Sequence, residues 1–228
     1  MKRLLLPMLV VLIGSAAARA ALSPFTFESN FANEGVIPDN DWNGWQDTRI
    51  VTGIPTDWWI LSLVVTLEVS GGWNGDLYGY LAHDTGLVVL LNRVGRTATD
   101  GSGYGNTGFN VVFADTPGNA DIHLYQDFSP TYTSAGRLLG TWQTDGRNVH
   151  PSGALDTDAR TTSLAAFKLL DPNGEWRLYL ADVSPGDQST IVRWELQIEA
   201  VPEASTLVPV LLVLGWAVCL HRRTRRLG

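Results

Sequence analysis

Apolar and polar positions alternate with a period of two through most of the central chain, the spacing that sends successive side chains to opposite faces of a strand. Residues 171–199 show it best. Trp176, Leu178 and Leu180 alternate with Glu175, Arg177 and Tyr179, and Val192, Trp194, Leu196 and Ile198 alternate with Arg193, Glu195, Gln197 and Glu199. Between these predicted strands lie Ser184, Pro185, Gly186 and Asp187, residues that turn a chain. Residues 60–69 (ILSLVVTLEV) give the longest candidate, with Leu61, Leu63, Val65, Leu67 and Val69 on one face and Ile60, Ser62, Val64, Thr66 and Glu68 on the other. Its β-branched content and the following Gly71 and Gly72 favour a strand over a short helix.

The remaining elements are shorter. A strand over 48–51 follows Trp42, Gly44 and Trp45, and another over 77–81 turns Leu77 and Leu81 inward. Asp84, Thr85 and Gly86 form a hairpin turn into 87–91. Further strands are predicted over 108–113, 138–142 and 164–170, with Gly-rich or polar loops over 96–107 and 145–159. Residues 21–36 carry Phe25, Phe27 and Phe31, spaced for an edge strand or a cover over the core. No stretch of the body predicts a helix of ten or more residues. Short strands separated by turns define an all-β class, an antiparallel β-sandwich.

Both ends read differently from this body. Residues 1–20 begin with Lys2 and Arg3, continue through an apolar run and end in Ala18, Arg19 and Ala20, the pattern of a secretory signal peptide; the alternative is a retained anchor. The other end has an apolar run over 207–220 followed by Arg222, Arg223, Arg225 and Arg226. Fourteen residues of helix reach only ~21 Å against a bilayer core of ~30 Å, so this segment spans a membrane only with its flanks drawn in. The domain plan is therefore a signal segment (1–20), a β-sandwich (21–200) and a tail (201–228).

Charge sharpens the picture. The chain's net charge is −7, but residues 21–200 contain 9 basic and 22 acidic residues, a net charge of −13. Such a body repels nucleic acid and anionic membranes. The single cysteine, Cys219, lies in the tail, so the body has neither disulfides nor thiolate chemistry.

Two resemblances follow from motifs. Gly75, Asp76 and Leu77 before the hairpin, Ile37, Pro38, Asp39 and Asn40 upstream, the strand 109–115, and the closing series Gly174, Trp176, Leu178, Leu180, Asp182, Gly186, Asp187, Trp194, Leu196 and Ile198 together resemble the P domain of subtilisin-like proprotein convertases, over about residues 37–199. That resemblance implies a jelly-roll-like sandwich with no peptidase activity of its own. Residues 121–163 match it poorly, and Gln188, Ser189 and Thr190 depart from its pattern. The tail resembles a PEP-CTERM sorting signal: Val201, Pro202, Glu203, Ala204, Ser205 and Thr206, then the apolar helix, then the arginines, with Ala204 where a second proline is usual. This implies an exosortase-type partner, membrane insertion through the C-terminal helix, cleavage, and delivery to the surface or extracellular matrix of a Gram-negative-type bacterium, where exopolysaccharide is a further partner.

Candidate chemistry in the body is sparse. His83, His123 and His150 are its histidines; His83 beside the hairpin and His150 before Pro151 read as solvated loop residues, and His123 has no assignable role. There is no Gly-x-Ser-x-Gly elbow, no His-Glu-x-x-His zinc motif and no phosphate-binding Gly-x-x-x-x-Gly-Lys. The expectation is a noncatalytic protein. A hydrolase using a carboxylate pair is the remote alternative, because pairing across strands is invisible in sequence. Asp76, Asp115, Asp182 and Asp187 at strand ends make calcium the candidate cofactor, with turn capping as the plainer reading. Trp45 and Trp59, from the cluster Trp42, Trp45, Trp58, Trp59 and Trp73, are candidates for stacking on carbohydrate, with core packing as the alternative.

Overall fold

Trp176 and Trp194, the two largest side chains that the alternation turns inward, are both fully buried, and they come from opposite sheets. The computed structural model describes residues 20–203. One sheet has five strands in the order β1 (Ala21–Phe27), β9 (Ser189–Pro202), β3 (Trp58–Gly71), β6 (Gly108–Phe113) and β7 (Leu138–Trp142). The other has four, in the order β2 (Trp45–Val51), β8 (Gly174–Asp182), β4 (Leu77–His83) and β5 (Gly86–Asn92). The strands that flank the 183–188 turn thus do not pair; the chain crosses from one sheet to the other there.

Inward residues of both sheets form one apolar core, including Leu63, Val65 and Leu67 of β3, Leu81 of β4, Leu178 of β8 and Leu196 of β9. Burial of this apolar surface is the main stabilising contribution in a body without cysteine. The sheets are also joined by a polar contact. The Trp194 indole N–H donates to Asp47 Oδ2 at 2.8 Å, and Arg49 Nε donates to the same oxygen at 2.7 Å. A buried indole N–H needs such an acceptor.

Neighbouring strands are antiparallel except β6 and β7, which run parallel. A parallel pair needs a long crossover. Residues 114–137 supply it, carrying a 3-10 helix (Ile122–Phe128). That helix buries Tyr125 and leaves Phe128 exposed.

Several expectations are corrected. Residues 164–170 are not a strand: Leu164–Phe167 is a 3-10 helix whose entry is capped by the Ser163 side chain accepting from the Ala165 N–H. Register shifts interrupt the alternation of β3 and β9. One between Ile60 and Ser62 leaves Leu61 44% exposed and turns Ile60 inward. The other makes Ile191 the buried residue and Val192 the exposed one. A bulge adds one residue, so the faces swap. His83 is buried, stacked on Trp176 with ring centroids 4.0 Å apart.

Residues 21–27 form the edge strand β1, with Phe25 and Phe27 packed on the core. At the far end β9 continues through Val201 and Pro202, two residues past the expected boundary, and the Glu203 N–H donates to the Asp57 carbonyl at 2.8 Å. Among the described residues no helix is long and apolar enough to cross a membrane. The apolar segments of 1–20 and 207–220, with Ala204, Ser205, Thr206 and the four tail arginines, lie outside the described residues.

Candidate functional site

The outer face of the four-stranded sheet carries three tyrosines where the pattern calls for solvated side chains. On β4, Leu77, Gly79 and Leu81 are buried, and Tyr78 and Tyr80 between them point outward, half-buried. On β8, Leu178 and Leu180 are buried and Tyr179 points outward. Antiparallel register sets Tyr80 directly opposite Tyr179, and their rings stack with centroids 4.8 Å apart at 18°. Tyr78 meets Tyr80 at 6.1 Å and Tyr179 edge-on at 6.2 Å. Burial first, then the neighbouring phenols, pushes the Tyr78 hydroxyl's pKa up, and burial, Tyr80 and Asp41 do the same for Tyr179. Both therefore stay neutral hydroxyls at any ordinary pH.

Two loops wall this platform. The first is the turn 40–44. The Asp41 N–H donates to the Asp182 carbonyl at 2.9 Å, the Asp41 carboxylate accepts from both nitrogens of Asn43, and the Tyr179 hydroxyl donates to the Trp42 carbonyl at 2.6 Å. Gly44 lets this turn lie on β8: at φ +61°, a Cβ there would stand 2.5 Å from the Leu180 carbonyl oxygen and 2.8 Å from the Tyr179 hydroxyl. The Trp42 indole is left 46% exposed.

The second wall is residues 148–151, and a buried ionic network holds it. Asp145 and Gly146 donate their N–H groups to the Leu90 and Val89 carbonyls of β5, both at 3.0 Å. Asn92 of β5 donates to the Arg147 and Val149 carbonyls at 2.9 and 3.0 Å. Beneath them His123 Nδ1 lies 2.7 Å from Asp145 Oδ2, and Arg147 Nη1 lies 2.9 Å from Asp121 and 3.3 Å from Asp145. His123 and Asp145 are fully buried. Burial alone lowers the His123 pKa, but the Asp145 bond and charge and the Arg96 carbonyl at its Nε2 outweigh it, so the net direction is up. A buried charge needs pairing of this kind.

The walls meet across the platform, where the His150 imidazole stacks on the Trp42 indole at 5.0 Å and 17°. The open cleft between them has a volume of about 540 Å3, lined by Trp42, Tyr78, Tyr80, Tyr179, Asn43, Asn148 and His150 among others. That is within the ~300–1,000 Å3 typical of small-ligand sites. No Asp, Glu, Lys or Arg lines it.

The residues singled out in the sequence fall elsewhere. Trp45 is 4% exposed on the inner face of β2, its N–H bonded to the Ala32 carbonyl and Phe31 edge-on to its ring, so it cannot stack on a ligand. Trp59 is half-buried on β3 opposite Val201, away from the cleft. Exposure belongs instead to Trp42 and to Trp73, which is 38% exposed.

The four candidate calcium aspartates are not gathered. Asp115 follows the six-residue β6, whereas Asp76 lies beside its start, through Asn74 and Gly108; at ~3.3 Å per residue the two ends are ~20 Å apart. Asp115 instead accepts from the Ala165 N–H at 3.0 Å. Asp76 and Asp182 do share one end of the sandwich, where the Val183 N–H donates to the Asp76 carbonyl. Asp187 lines a depression of about 580 Å3 there with Trp73, Asp76 and Arg93. Arg93 already supplies a cation, 3.5 Å from Asp76 Oδ1. Asp182 is fully buried with one oxygen unpartnered, and desolvation chiefly, with the Asp76 and Asp39 charges, pushes its pKa up to about 7. Among the described residues no three His, Cys, Asp or Glu side chains stand close enough together to hold a metal.

No protein-family model matches the chain, and no curated protein is significantly similar to it.

Proposed function

We propose that this chain is a noncatalytic, exported surface or extracellular-matrix protein whose sandwich, jelly-roll-like and akin to the P domain, is a binding module. The observation that carries the binding part is the cleft: three tyrosines rise from a sheet face, and two loops flank them, one tied to Tyr179 by its hydroxyl and the other held by a buried ionic network. A face with no partner would be expected to carry solvated polar residues instead. The lining of this cleft provides no carboxylate to act as acid, base or nucleophile, so the reading assigns it binding and not hydrolysis.

The export part rests on the two ends of the sequence. A signal peptide over 1–20 and a PEP-CTERM-like tail over 201–228 route the chain through the inner membrane, where an exosortase-type enzyme cuts near Pro202 and Glu203. Because β9 ends at Pro202, a cut after Glu203 would release the sandwich with its last strand whole. Mass spectrometry of the mature protein from its native host tests this. The expected product begins at Ala21 and ends close to Glu203, and loss of the exosortase leaves the tail attached and the protein in the membrane. An intact chain recovered from the cytosol would overturn the reading.

A further inference from the structure

We infer that the aromatic cleft binds a neutral polysaccharide chain, holding the apolar ring faces of its sugars against Trp42 and the Tyr78–Tyr80–Tyr179 group. The inference rests on the binding-module reading and names the ligand class of that same site.

The lining combines the two things a sugar presents. A pyranose has an apolar face of C–H bonds and a rim of hydroxyls. Aromatic rings supply a rigid apolar surface with positively polarised edges and negative faces, suited to C–H contacts. The rim groups are the Asn43 and Asn148 amides, the tyrosine hydroxyls and the His150 imidazole, which donate and accept without a formal carboxylate or guanidinium among them. The indole of Trp42, at nearly half exposure, is the most available of the rings.

Other ligand classes fit less well. Polyanions, including nucleic acid and uronic-acid polymers, meet a body of net charge −13 and a cleft with no Lys or Arg. A quaternary ammonium ligand calls for rings arranged around it with a counter-charge close by. Here Tyr80 and Tyr179 are stacked on each other, and the Asp41 carboxylate, whose charge reaches Tyr179, is engaged by the two Asn43 nitrogens and does not line the space. An extended peptide adding to the sheet requires a free strand edge. The cleft lies on the face of β4 and β8, both of which are hydrogen-bonded on each side. A neutral chain of sugars needs none of these, and a volume of about 540 Å3 leaves room for a short stretch of it.

The test is calorimetric titration of the full chain, kept in mild detergent, with neutral oligosaccharides of several linkages and with oligosaccharides of uronic acids. The variants are Trp42→Ala, Tyr80→Ala, Asn148→Ala and, as a control at the other exposed indole, Trp73→Ala; melting curves verify that each is folded. The expected result is binding of at least one neutral oligosaccharide, weakened tenfold or more by Trp42→Ala and by Tyr80→Ala, several-fold by Asn148→Ala and not by Trp73→Ala. Binding confined to uronic acids, neutral binding indifferent to Trp42→Ala and Tyr80→Ala, or no glycan bound at all would each overturn the inference. A non-glycan ligand lost with the same two variants overturns the sugar assignment and leaves the binding-module reading in place. A cytosolic, unprocessed chain overturns the export half of that reading without touching the titration.

Discussion

The Tyr179 hydroxyl donates to the Trp42 carbonyl across 2.6 Å, and through this one bond the platform of the cleft holds its own wall. Tyr179 is thus both a ring of the floor and the anchor of the indole beside it. Replacing it with Phe keeps the stack on Tyr80 but removes the anchor. A net hydrogen bond of this kind is worth ~0.5–1.5 kcal/mol. The expected outcome of Tyr179→Phe is a melting temperature lowered by no more than a few degrees, and a ligand affinity lowered several-fold because the turn 40–44 is no longer pinned. Titration beside a melting curve separates the two effects.

Much of this arrangement is legible in the sequence. Alternation gives the inward faces of β4 and β8 correctly, and with them the outward direction of Tyr78, Tyr80 and Tyr179. Three aromatics on a face that should be solvated were the available signal of a site. The tryptophans drew attention instead, and there pattern failed. Trp45 occupies an inward position of β2, while Trp42 sits in a turn, where no periodicity reports exposure. The errors in β3 and β9 have one cause: a bulge reverses the faces after it, and nothing in the residues at Leu61 or Val192 marks the extra residue. The second wall was unreadable because it depends on Asp145, His123 and Arg147 meeting through the fold.

Gly44 should tolerate no side chain. Its φ of +61° disfavours L residues, and a Cβ would run into the Leu180 carbonyl and the Tyr179 ring. Backbone strain of this type costs ~1–3 kcal/mol. Gly44→Ala should therefore lower the melting temperature and displace Trp42. The displacement is read from tryptophan fluorescence: a spectrum unchanged from wild type would mean the turn accommodates the methyl.

The buried network under residues 148–151 should be the body's most sensitive polar feature. Asp145→Asn leaves Arg147 and His123 facing a neutral amide in a dry site, and breaking a buried charge network commonly costs ~3–5 kcal/mol. The pH dependence has a definite sign. The folded state raises the His123 pKa above the ordinary ~6.5. Its contribution is then fully present below pH ~6.5 and is lost as pH rises through the folded value. Stability measured by denaturant between pH 6 and 9 should fall with pH in the wild type and fall less in His123→Gln.

Calcium and the Asp76–Asp182 end can be separated by one pair of measurements. Arg93 already neutralises Asp76, and the four aspartates do not converge, so the melting temperature should not move between chelator and millimolar calcium. A calcium-dependent rise that disappears in Asp182→Asn would place an ion there after all. In the absence of such a rise, Asp182 acts through its own proton. Its unfolded pKa is the ordinary aspartate's 3.8 and its folded pKa is about 7, raised first by burial. The folded state binds the proton more tightly, so the stabilisation is complete below pH ~4 and drains away as pH rises towards about 7. Above that the carboxylate is ionised, with Oδ1 accepting from the Ser184 N–H at 3.4 Å and Oδ2 buried and unpartnered. Asp182→Asn keeps the shape and removes the charge. The variant should match the wild type at pH 4 and exceed it at pH 8, each kcal/mol gained appearing as ~2–4 °C in melting temperature. Equal melting temperatures at both pH values would mean that the Asp182 carboxyl finds a partner in solution that it does not have in the structure.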